Sequence, residues 1–145
     1  MAIPLRNPGA GRRTQLLGSL RYSADWGTGA VRASDARGAV TAVLAQAGHT
    51  PDRRPTQNAQ LVVSELVTNA LVHAPGPSGL RLELTPESLL ITVWDSSPRP
   101  PRSRAPDPGR IGGHGLHLVT ALSEDLRTTA TPSGKRVTAT VRLSG

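Results

Sequence analysis

The spacing of apolar residues changes between residues 74 and 80, and that change limits what the chain can fold into. Before it, apolar residues recur at helical spacing. Val31, Ala39, Val40, Val43 and Leu44 predict a helix over 29–47, with Gly48 as its stop. Thr56 is placed to cap a second helix, which runs through "SELVTNALVH" to His73 and is ended by Pro75. After the change the period is two. "LRLELT" (80–85) alternates Leu with Arg, Glu and Thr, a half-buried strand. "SLLITVWD" (88–95) is a more continuous apolar run, a more buried strand, and the short link between the two predicts a hairpin. "LRTTAT" and "KRVTATVRL" predict a second hairpin, and "LLGSLRYSA" a strand ahead of the helices. A further helix is expected over 115–124. Helices interrupting antiparallel strands predict an α+β fold. It is expected as a two-layer sandwich with helices on one face of a mixed, mainly antiparallel sheet.

Two segments carry no core pattern. Residues 1–15 are rich in Gly, Pro and Arg and read as a disordered basic tail, leaving 16–145 as one domain. Residues 96–111 open with "SSPRPPRSRAPDPGR" and read as a long loop; loops of that length inside small domains are usually functional, often lids. The net charge of +7 resides mainly in these two segments. Residues 1–21 hold four Arg and no acid, 99–110 hold four Arg and one Asp, and 22–98 sum to −2. That distribution is not the clustered stripe of a nucleic-acid-binding face. With Trp26, Trp94 and Tyr22 the only aromatic residues, a single-strand stacking platform is excluded as well. There are no cysteines, so thiolate metal sites and Cys nucleophiles are excluded. No stretch approaches the ~18 apolar residues of a transmembrane helix. The first residues lack the apolar run of a secretory signal, and a cytoplasmic protein is expected.

Three features call for a common explanation. Glu65, Asn69 and His73 sit four residues apart, so an acid, an amide and an imidazole share one stripe of an otherwise apolar helix. Asp95 stands where a buried strand's apolar run stops. "GGHGL" (112–116) opens a helix directly from glycines, and a helix start presents free N–H groups to phosphate. An Asn oxygen suits Mg²⁺, a hard cation with oxygen ligands. A Glu one turn away can deprotonate a hydroxyl. An Asp at a strand end can accept from a purine amine. A nucleotide with its metal would satisfy all of them. The plain alternative for Glu65 and Asn69 is the polar edge of an amphipathic helix. For His73 it is a cation near a helix C-terminus. For His49 and His117 it is packing or surface. For Arg99, Arg102 and Arg104 it is a solvated loop.

"ELVTNALVH" resembles the N box of the gyrase, heat-shock-chaperone and histidine-kinase ATPase superfamily, "VWD" the start of its first glycine box, and "GGHGLHLV" its second. Order and spacing match from about residue 20 to 143. The chain is most similar to small stand-alone members of the anti-sigma factor serine kinase kind, including actinobacterial regulators that carry "VVSELVTNAL". The resemblance implies the Bergerat ATP-binding fold and a set of roles. Glu65 would be the catalytic base toward a partner Ser. Asn69 would hold Mg²⁺ against the phosphates of ATP. Asp95 would bind the adenine amine, with Thr138 on the adenine side. Gly112, Gly113, Gly115 and Leu116 would form the phosphate-binding helix start, and Arg110 would meet the γ-phosphate. The partners implied are a Ser-containing anti-sigma factor antagonist, a sigma factor, or both, with a homodimer possible and no nucleic acid or membrane. One departure is plain. Where the first glycine box reads DxGxG, Asp95 of this chain is followed by Ser96, Ser97, Pro98, Arg99 and Pro100. Two readings follow: a serine/threonine kinase acting by partner switching, or a non-catalytic protein-binding module whose nucleotide binding is weak or lost.

Overall fold

The computed structural model describes the backbone of residues 10–16, 19–26, 32–73, 78–95, 115–132 and 134–143. Side chains are described within 32–70, 79–95, 117–132 and 134–143. The expected lid over 96–111, Arg110, Gly112, Gly113 and residues 1–9 of the expected tail lie outside the described residues.

Strands β1 (Ala10–Leu16), β2 (Ser19–Trp26), β3 (Ser78–Leu84), β4 (Ser88–Asp95), β5 (Asp125–Thr131) and β6 (Gly134–Arg142) form a six-stranded sheet of order β1-β2-β3-β4-β6-β5. Helices α1 (Ala33–Gln46), α2 (Arg54–His73) and α3 (Gly115–Leu122) complete the fold. α2 is the central helix. It packs against α1 on one side and α3 on the other, and rests on β4 and β6. The α+β sandwich is as expected, and the sheet, expected to be mainly antiparallel, is antiparallel in each described pairing.

Strand alternation builds the core. Leu80, Leu82 and Leu84 of β3 lie opposite Val93, Ile91 and Leu89 of β4, which lie opposite Val137, Ala139 and Val141 of β6. This inward row meets Ala59, Val62, Val63, Leu66, Val67 and Ala70 of α2 and Ala36, Val40, Val43 and Leu44 of α1 in a single buried cluster. Each large aliphatic side chain buried in full contributes about 1.5–3 kcal/mol. The other face of the sheet has no described helix on it.

Several local devices are visible in the chain. α1 ends in a Schellman motif. His49 N–H donates to Leu44 O, Gly48 N–H donates to Ala45 O, and Gly48 takes the left-handed φ of +86° that favours glycine. The β3–β4 link is tied by Thr85, whose N–H donates to Ser88 O at 2.9 Å while its hydroxyl accepts from Ser88 N–H at 3.0 Å. α3 stops at Leu122 rather than 124 because Glu124 N–H already donates to Thr140 O of the sheet.

Three expectations are corrected here. Residues 10–15 are not tail but strand: all seven residues of β1 pair with β2. Arg12 and Arg13 made the segment look unstructured, yet charged residues are the usual furniture of an edge strand. α1 begins at Ala33, not 29, because Arg32 is extended. α2 begins at Arg54, so Thr56 lies within the first turn instead of capping it. Thr56 is 0% exposed and its hydroxyl has no hydrogen-bond partner among the described residues. Removing a buried, unsatisfied hydroxyl without changing shape is favourable. Thr56→Val is therefore expected to raise stability by about 1 kcal/mol, read as a later urea midpoint.

Gly79 of β3 illustrates a tighter constraint. Trp94 lies opposite it on β4, on the sheet face away from the helices, with the Arg81 guanidinium 5.9 Å from the indole centroid. A Cβ at Gly79 would fall 2.1 Å from Trp94 Cζ2. Gly79→Ala must displace the indole and is expected to cost about 1–3 kcal/mol, seen in the unfolding midpoint together with a shift in tryptophan emission. Among the described residues no helix is long and apolar enough to cross a membrane.

Candidate functional site

The polar residues of α2 fall into two rows that border its buried face. Along one border Gln60 donates to the Thr41 hydroxyl at 2.7 Å and Ser64 accepts from Arg37 at 2.7 Å, so this row fastens α2 to α1. Along the other border lie Asn58, Glu65 and Asn69, all half-buried. None of these three makes a hydrogen bond to another described residue. The first row has a structural task that is visible. The second holds an acid and an amide one helical turn apart, on the side away from α1. His73 continues that row on the helix backbone, with its side chain outside the described residues.

Asp95 is the last residue of β4, and alternation turns it to the helix side of the sheet with Val93, Ile91 and Leu89. It is 5% exposed. Its register partner on β6 is Lys135, also 5% exposed. Lys135 Nζ donates to both carboxylate oxygens, at 2.9 Å to Oδ2 and 3.1 Å to Oδ1. The sequence reading missed Lys135. The signal that would have found it is parity: in "KRVTATVRL" the inward row is Lys135, Val137, Ala139, Val141, with a charge where aliphatics are the rule.

Thr138 is the site residue that the structure moves away. It is the register partner of Thr92, and the two hydroxyls are 3.0 Å apart on the sheet face opposite to Asp95. A slip of one in strand parity carries a residue to the other face, and Thr138 is of the wrong parity to stand beside Asp95. It does not join the site.

α3 starts at Gly115, as expected of a helix opening from glycines, and packs along α2. The backbone of Gly115 and Leu116 is in the first turn, where N–H groups have no helical acceptor. The second border of α2, the inward end of β4 and α3 all lie on the helix side of the sheet, with α2 packed against both α3 and β4. Their chemistry is a carboxylate, an amide oxygen, a buried ion pair and helix N–H donors. That set suits a phosphorylated, nitrogen-bearing ligand. Among the described residues no cluster of three or more His, Asp or Glu is placed to hold a metal by itself, so a cation here would need ligand atoms from elsewhere, as Mg²⁺ bound to phosphate has.

Residues 28–141 match the histidine kinase-like ATPase domain, and the chain belongs to that family. It is an ATP-binding domain of the regulatory kind, on a two-layer fold with the antiparallel sheet described above. No protein of curated function matches the chain in sequence.

Proposed function

We propose that this protein is a serine/threonine protein kinase of the anti-sigma factor type, which binds Mg-ATP and phosphorylates a Ser-containing antagonist protein, controlling transcription by partner switching. The observation that carries the reading is the free border of α2, where Glu65 stands one turn from Asn69 and neither is engaged by described residues. In this reading Asn69 offers its side-chain oxygen to Mg²⁺, while N–H groups at Gly115 and Leu116, with Gly112 and Gly113 before them, receive phosphate oxygens. Arg110 neutralises charge at the γ-phosphate. Glu65 would accept the proton of the partner's hydroxyl as that oxygen bonds to the γ-phosphorus and the bond from that phosphorus to ADP breaks, with ADP as the leaving group. Asp95 accepts from the adenine amine. Catalysis is then positioning and charge neutralisation, as phosphoryl transfer generally is. The partner is protein and the compartment cytoplasmic.

A second reading has its own support. Residues 96–100 supply neither glycine of the DxGxG box, and the Asp95 carboxylate is already engaged by Lys135. Under that reading the protein is a partner-binding module with weak or lost nucleotide binding.

Calorimetric titration of Mg-ATP into the wild type and Asn69→Ala separates the two. Saturable heat in the wild type, reduced at least tenfold in apparent affinity by Asn69→Ala, supports the kinase reading; loss of a charge-linked oxygen contact is worth about 1.5–3 kcal/mol. No heat from the wild type leaves the binding module.

A further inference from the structure

The sheet face turned away from the helices gathers charges that the linear sequence scatters. Two neighbouring rows cross it. Gly79, Trp94, Arg136 and Thr129 are register partners in one, and Arg81, Thr92, Thr138 and Arg127 in the next. Neither row holds an acid. The third row, from Glu83 to Asp125, holds both acids, and Asp125 takes up Arg127 at 2.7 Å. Arg81 and Arg136 are exposed, and no described acid pairs with either. The Arg81 guanidinium stands 5.9 Å from the Trp94 centroid, and the half-buried indole lies against Gly79, where the missing Cβ leaves it room. Between the two arginines the Thr92 and Thr138 hydroxyls are 3.0 Å apart. One donates to the other, and the second proton is left to donate outward. One end of the face is thus a plate of cations and donors around an indole.

We propose that this end of the sheet face docks an extended acidic segment of a partner protein, with a carboxylate at Arg81, another at Arg136 and an apolar side chain on the Trp94 indole. A guanidinium stacked on an aromatic ring keeps its fork free for a bidentate carboxylate. The spacing suits an extended chain. Arg81 and Arg136 stand two strands and two residues apart, so their backbones are about 12 Å from each other at ordinary strand spacing and rise. Acids four residues apart on one side of an extended segment span about 13 Å, with one side chain between them on the same side. Charge decides among occupants. Residues 1–9 and 96–114 hold five Arg and one acid, Asp107, so neither segment complements this plate. A second copy of the face would bring arginine against arginine. A run of nucleic-acid bases needs further rings to stack on, and Trp94 is the only aromatic side chain described on the face. The plate lies on the opposite side of the sheet from Asp95, so this docking is independent of the nucleotide reading.

The test uses a fluorescein-labelled peptide with two Glu four residues apart and a Leu midway, followed by anisotropy at low salt, with the same peptide carrying Gln for Glu as its control. Wild type is expected to bind the Glu peptide saturably and the Gln peptide about 10- to 100-fold more weakly, the effect of losing two charge-assisted contacts. Arg81→Gln/Arg136→Gln is expected to weaken the Glu peptide by a similar factor. Arg53→Gln/Arg54→Gln removes the same charge at the exposed start of α2 and is expected to leave binding within about twofold, since screened charge at a distance contributes little. A second measurement needs no change to the face. The Trp94 indole N–H resonance, assigned with Trp26→Phe, is expected to shift on adding the Glu peptide. Equal weakening by the two arginine pairs overturns the proposal, because the peptide then reads only net charge. A Trp94 resonance that bound peptide leaves unmoved overturns it as well. So does a wild type that ignores the Glu peptide, including one that takes a ten-residue oligothymidylate on this face instead.

Discussion

Glu65→Gln is expected to retain Mg-ATP and to lose phosphoryl transfer to a Ser-bearing partner by about 10²- to 10⁴-fold, the usual contribution of a positioned base. The reason lies in where Glu65 stands. It is half-buried on the border of α2 that does not serve α1, and no described residue accepts or donates to it. A glutamate fastened by an arginine would be a structural group. One that is free on a helix whose next turn offers Asn69 is available to a hydroxyl. Gln keeps the shape, the helix propensity and the hydrogen-bonding length while removing the ability to take a proton. Binding of ATP, measured by calorimetry, should therefore be nearly unchanged, and transfer of labelled phosphate should fail. Equal transfer by the Gln variant sinks the base assignment. Equal loss of binding and transfer shifts Glu65 to a binding role.

What could be seen in the sequence follows from how far each signal reaches. The α2 row was legible because helical periodicity is local: Glu65 and Asn69 are one turn apart whatever surrounds them. Gly48 was legible because a left-handed C-cap needs a residue without Cβ, and the Schellman bonds appear where the glycine stands. Asp95 was legible as the place where an apolar strand run stops. The failures share a different cause. β1 exists because β2 pairs with it along its whole length, and no property of "AGRRTQL" alone declares that partner. Thr138 was assigned to the adenine side by its place on the last strand, but sheet faces are decided by register, and register is set between strands. Lys135 went unread for the same reason. Its meaning comes from standing opposite Asp95, forty residues earlier in the chain. Local chemistry was therefore readable, and cross-strand chemistry was not.

That cross-strand pair yields the largest stability effect expected of this fold. Asp95→Leu leaves the Lys135 ammonium buried, with its carboxylate gone, and should lower stability by about 3–5 kcal/mol, as when one partner of a buried ion pair is removed. Against a typical total of about 5–15 kcal/mol, this is a large fraction and would be plain in a urea midpoint. The double variant Asp95→Leu/Lys135→Met removes both charges of the pair beside Val93 and Val137. It should recover to the wild-type value or exceed it by about 1–4 kcal/mol. Coupling of that size between the two substitutions would establish that the pair is closed in solution. A single variant within about 0.5 kcal/mol of wild type would instead show that water reaches the lysine, as at an ordinary surface position. The double variant also separates two roles that a single substitution confounds. Because it keeps the fold while removing the acceptor, any nucleotide binding it loses is recognition by Asp95 and not support of the sheet. If it folds well and still prefers ATP, the base is read elsewhere, and the ion pair at the end of β4 has no part in choosing it.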